Sequence, residues 1–120
     1  MELNAMVLIV DDDAGLRLAL RDRFEHWGCQ VTLAADGQEA LAACARRQFD
    51  LVLLDLTMPG LSGMEVLQRL RQEEYGADIV VLTAHGSLEN AVEAVKKGAD
   101  DFLGQVYRGA VVGEKGLALR

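Results

Sequence analysis

The chain has 120 residues, 51% of them apolar and 5% aromatic, with one proline and a formal net charge of −7. That length fits one domain, with a core built mainly from Val, Leu, Ile and Ala. The acidic balance excludes a nucleic-acid surface in this chain, because phosphate binding needs clustered Lys and Arg. Cys29 and Cys44 form neither a CxxC pair nor a metal-ligand spacing, and read as buried free thiols of a reducing compartment. No basic stretch precedes an apolar run of signal length, and no run approaches a membrane span. The expectation is a cytoplasmic, soluble protein with no membrane contact.

Residues 6–10 (MVLIV) form a continuous apolar run, as expected of a strand buried on both faces. Helical spacing follows over 14–27, where Leu16, Leu20, Phe24 and Trp27 recur every three to four residues and Arg17, Arg21, Asp22 and Arg23 lie between them. Asp13 stands where an N-cap belongs and Gly28 where a helix stop belongs. Gln30–Ala34 reads as a strand and Gly37–Arg47 as a helix capped by Asp36. Leu51–Leu54 is a second fully apolar strand ending in Asp55, and Ser62–Glu74 is helical. Ile79–Leu82 is another strand, ending at Thr83. A helix over Ser87–Lys97 is closed by Gly98, and Asp101–Leu103 is a short strand.

Strand and helix alternating in this way predict an α/β fold: a doubly wound, five-stranded parallel sheet with helices on both faces. Residues 1–103 would form the core. The segment 104–120 differs, because Gly104, Gly109, Gly113 and Gly116 each cost a helix about 1 kcal/mol relative to Ala. The last helix that the alternation asks for is therefore expected to be absent or altered.

In such sheets, ligands bind beyond the carboxyl ends of the strands. Asp11 and Asp12 follow the first strand, Asp55 ends the third and Thr83 ends the fourth, so these polar groups should share one edge. Three crowded carboxylates repel one another and make a hard, oxygen-rich site suited to Mg²⁺. Asp12 and Asp55 could bind directly, Asp11 directly or through water, and the backbone carbonyl of Thr57 could complete the protein ligands. A carboxylate can attack phosphorus to form an acyl phosphate. Thr83 could bond a phosphoryl oxygen, with Ala84 and Gly86 leaving room for it.

The stretches IVDDDAG, LVLLDLTMPGLSG, VVLTAHGS and KKGADDF, in that order and spacing, resemble the receiver domain of bacterial response regulators, the CheY-like, flavodoxin-like family. The likeness covers residues 6–103. LTAHGSLENAVEAVKKGADDF further resembles receivers attached to NtrC-like transcription activators, which carry an ATPase domain and a DNA-binding output domain. The resemblance implies that Asp55 accepts a phosphoryl group from the phosphohistidine of a sensor histidine kinase. Asp11, Asp12, Asp55 and the Thr57 carbonyl would hold Mg²⁺. Thr83 would bond the phosphoryl group, Phe102 would be the aromatic switch residue, and Pro59 and Gly60 would shape the loop after Asp55.

The chain departs from the family pattern at Gln105, which stands at the usual Lys position and brings no positive charge. An uncovered groove in place of the last helix would favour homodimerisation or segment exchange. Gln105 also supports a pseudo-receiver, a binding module that works without phosphorylation. A third reading is a haloacid-dehalogenase-type phosphatase with Asp11 as nucleophile. Asp11–Asp13 contains a D-x-D, followed by Thr83, Lys97 and Asp100-Asp101, although Gly15 replaces the expected Thr or Val. Taken alone, the other residues have plainer roles. Asp13 reads as an N-cap, Met58 and Met64 as packing residues, His26 and His85 as surface residues, and Phe102 equally as core.

Overall fold

A computed structural model of the chain describes residues 4–83 and 88–104. Gln105, the remainder of the atypical C-terminal segment, His85 and the Ser87 helix start lie outside the described residues. The elements are β1 (Met6–Val10), α1 (Ala14–His26), β2 (Gln30–Ala34), α2 (Gly37–Arg46), β3 (Leu51–Asp55), α3 (Gly63–Gln72), β4 (Asp78–Thr83), α4 (Leu88–Lys96) and β5 (Asp101–Gly104). Every expected element in this range is present. Its ends move by a few residues, because capping groups lie just outside the helices they close.

Local chemistry sets those ends. The Asp13 side chain accepts from the Leu16 amide and caps α1, and the Asp36 side chain accepts from the Glu39 amide and caps α2. Ser62 and Glu65 form a reciprocal capping box, so Ser62 precedes α3 instead of opening it. Trp27 is the C-cap of α1, and Gly28 beyond it has φ +88°, a conformation that only glycine adopts without cost. Gly104, which the sequence assigns to the tail, is the last residue of β5 because the strand pairing carries on to Thr83↔Gly104.

All strand pairs are parallel, in the order β2-β1-β3-β4-β5. Side-chain alternation splits the core into two layers. Leu8, Val10, Val52, Leu54, Ile79 and Val81 face a cluster that also holds Ala40 and Cys44 of α2, Val66, Leu67 and Leu70 of α3, and Ala94 of α4. Val7, Ile9, Leu51, Leu53, Val80 and Leu82 face the other side, with Leu20 and Phe24 of α1. Phe24 meets Trp27 edge-on, with ring centroids 5.3 Å apart. Cys29 and Cys44 are buried free thiols. Met58 is buried, Met64 packs against the first cluster, and His26 is exposed. Among the described residues, no helix is long and apolar enough to cross a membrane.

Candidate functional site

The strand order reverses direction between β1 and β3, where a parallel sheet opens a crevice at its carboxyl edge. Val10 pairs with Leu54, so the next residues, Asp11 and Asp55, come level on neighbouring strands. Carboxylate oxygens of Asp11, Asp12 and Asp55 lie within 4.8 Å of one another. Asp11 and Asp55 are buried, 1% and 3% exposed, whereas Asp12 is exposed. Two carboxylates this deep beside a third need compensation from a cation or from hydrogen bonds to their charged forms.

Part of that compensation comes from the backbone. Asp11 Oδ1 accepts from the Asp13 amide at 2.9 Å, and Asp55 Oδ1 accepts from the Thr57 amide at 3.1 Å. Each buried carboxylate thus closes the same turn onto the residue two positions ahead. These turns fix the side chains without adding positive charge. The three side chains supply only carboxylate oxygens, a hard donor set that fits Mg²⁺ and not a thiophilic metal.

The rest of the edge is built by close backbone contacts. Asp55 pairs with Leu82, which places Thr83 one register position further along β4. The Leu56 amide donates to the Leu82 carbonyl at 3.1 Å, and the Gly63 amide to the Leu56 carbonyl at 3.3 Å. A Cβ on Gly63 would overlap the Asp55 carbonyl oxygen and lie 2.6 Å from the Leu56 Cα. Only glycine lets the start of α3 lie this close beneath the acid site.

Phe102 lies on β5 opposite Val81, half-buried, and packs against the first core cluster. It sits on the edge strand, two strands from β3. Two residues escaped the sequence reading. In the sequence Arg17 is one of the polar positions between the apolar residues of α1, yet its Nη1 donates to the Asp11 carbonyl at 2.7 Å. Gly63 closes the stretch LVLLDLTMPGLSG. The signal for it was its place directly after the Ser62 cap, where α3 must leave the loop that follows Asp55.

The set required by the phosphatase reading does not assemble. The Asp100 carboxylate accepts from the Ile79 amide at 2.7 Å and pairs with Arg71 at 2.8 Å, before β5 begins and at the opposite edge from Asp11. Lys97, just past the end of α4, pairs with Glu93 of that helix at 3.3 Å. Both groups sit at the amino edge of the parallel sheet, because α4 runs back against the strands before β5 starts.

The response regulator receiver domain family matches residues 7–106. Sporulation initiation phosphotransferase F of Bacillus subtilis is 37% identical over 97 residues, which are 81% of this chain and 78% of that protein. Transcriptional regulatory protein FixJ of Bradyrhizobium diazoefficiens is 39% identical over 103 residues, 86% of this chain and 50% of that protein. Transcriptional activator protein PfeR of Pseudomonas aeruginosa is 39% identical over 97 residues, 81% of this chain and 32% of its own length. Among solved structures, chemotaxis protein CheY4 of Vibrio cholerae superposes with a TM-score of 0.85 at 29% identity, covering 97% of this chain and 98% of that one. NtrX from Brucella abortus superposes with a TM-score of 0.86 at 28% identity, covering 98% of this chain and 26% of that one.

The chain belongs to the response regulator receiver domain family, the regulatory module of two-component systems. It spans half or less of the two transcriptional regulators above.

Proposed function

We propose that Asp55 is a phosphoacceptor and that Asp11, Asp12 and Asp55, with the Thr57 backbone carbonyl, hold Mg²⁺. The observation that carries this reading is the convergence of three carboxylates within 4.8 Å at the reversal point of the sheet. When bound, the cation neutralises charge on the transferring phosphoryl group and orients it. An Asp55 carboxylate oxygen attacks the phosphorus of a sensor kinase's phosphohistidine. A P–O bond forms, the P–N bond breaks, and the imidazole leaves and takes up a proton. The Thr57 amide, held on Oδ1 of Asp55, keeps the carboxylate from rotating during the attack.

In the same proposal, the Thr83 hydroxyl bonds a phosphoryl oxygen and Phe102 responds to the movement of the β4 end. Gln105 replaces the usual cation, so coupling between phosphorylation and shape change is weakened. The output is a transcription-controlling domain, in keeping with the relatives' names. The receiver core is residues 1–103, and 104–120 is an atypical C-terminal segment.

Incubation with Mg²⁺ and acetyl phosphate, followed by intact mass measurement, tests this reading. The parent should gain one phosphoryl group, and Asp55→Ala should gain none. An adduct that survives in Asp55→Ala would move the acceptor elsewhere. No adduct on the parent, or on Gln105→Lys, would favour a receiver-fold binding module that works without phosphorylation.

A further inference from the structure

The Asp11–Asp12 peptide carries two of the three clustered carboxylates, and one side chain holds its carbonyl oxygen. Arg17, in the first turns of α1, reaches back and donates from Nη1 to the Asp11 carbonyl at 2.7 Å, a short charge-assisted bond. The Arg17 main-chain amide donates to the Asp13 carbonyl at 3.0 Å. The Asp13 amide donates to Asp11 Oδ1 at 2.9 Å, and Asp13 Oδ1 accepts from the Leu16 amide at 3.1 Å. These bonds close a circuit from Asp11 through Asp13 to Arg17 and back. The Asp11 amide is anchored separately on the Ala34 carbonyl at 3.2 Å.

We infer that Arg17 is a positioning residue of the acid site: by holding the Asp11 carbonyl, it fixes the direction in which Asp11 and Asp12 present their carboxylates to a divalent cation. This inference rests on the cation site proposed above. The guanidinium thus engages the backbone of the acid turn. The two effects of Arg17 on a cation have opposite signs. Its charge repels a dication, so by Coulomb's law its removal should tighten binding. Its hydrogen bond orders the ligands, so its removal should loosen binding, as loss of an outer partner of a ligating residue does.

Calorimetric titration of Mg²⁺ into the parent, Arg17→Met, Arg17→Lys and Asp12→Asn decides the matter, with thermal unfolding in EDTA alongside. Arg17→Met should bind about tenfold more weakly, Arg17→Lys should recover most of the affinity, and the metal-free unfolding midpoint should move little. Equal or tighter binding by Arg17→Met would overturn the inference. If Arg17→Met does not fold, Arg17→Ala, which also removes both the charge and the donor, decides by the same sign. A parent that binds no Mg²⁺, matching Asp12→Asn, would remove the cation site and this inference with it. A parent that binds while Arg17→Met matches it would remove the role of Arg17 alone.

Discussion

Gly63 and Asp55 touch backbone to backbone: there is no room for a Cβ between the first residue of α3 and the Asp55 carbonyl oxygen. The obstacle is main chain on both sides, so no side chain can swing away to make space. Gly63→Ala should therefore cost about 3 kcal/mol, at the upper end for overpacking a close-packed region. Urea denaturation would measure the loss. Because relief requires α3 or the β3 end to shift, the same variant should bind Mg²⁺ more weakly. Parent-like stability would mean that α3 can slide freely over the acid site.

Arg71 closes the opposite edge of the sheet. Its guanidinium donates to the Gly98 carbonyl at 2.8 Å, the Tyr75 carbonyl at 2.9 Å and the Ala77 carbonyl at 3.0 Å, and pairs with Asp100 at 2.8 Å. One planar group thus joins the end of α3, the entry to β4 and the turn before β5. Arg71→Met strips donors from three carbonyls and should destabilise by about 2 kcal/mol. Asp100→Asn keeps an acceptor for the Ile79 amide and removes only a half-exposed charge, so it should cost under about 1 kcal/mol. Equilibrium unfolding of both variants checks the order, and equal losses would assign the stability to the ion pair instead of the carbonyl bonds.

The Tyr75 hydroxyl donates to the Arg47 carbonyl at 2.7 Å and accepts from the Phe49 amide at 2.8 Å, bridging the loop between α2 and β3. Burial pushes its phenol up to about 12, against the lowering effect of the Phe49 amide. The folded protein thus holds this proton more tightly than the unfolded chain, whose tyrosines titrate near about 10. The stability contributed by the proton is whole below about pH 10 and is lost as pH climbs toward 12. Burial also pushes up the thiols of Cys29 and Cys44, and these act in the same direction. Tyr75→Phe should cost about 1–2 kcal/mol at neutral pH and show a shallower alkaline decline than the parent. Urea unfolding between neutral and strongly alkaline pH measures both slopes, and parallel curves would place the alkaline loss elsewhere.

Local pattern was enough to read the order of elements, because side-chain period and capping act within a few residues. Asp13, Asp36 and Ser62 cap their helices as their chemistry demands, and the apolar runs of β1 and β3 are buried from Val7 to Val10 and from Leu51 to Leu54. The carboxylates of Asp11, Asp12 and Asp55 were also legible, since each follows or ends a strand and parallel strands align their carboxyl ends. Tertiary structure alone decided the rest. The Val10↔Leu54 register is a long-range pairing, and it sets Asp11 and not Asp12 level with Asp55, so that Asp12 stays exposed. Gly63 matters because two backbones converge there, which no local propensity encodes. Arg17 turns back to the Asp11 carbonyl and Arg71 gathers three carbonyls from separate turns, and both choices depend on which acceptors the finished fold leaves in reach. A long flexible cation can serve any surface it meets, so its partner is a property of the folded chain and not of its place in the sequence.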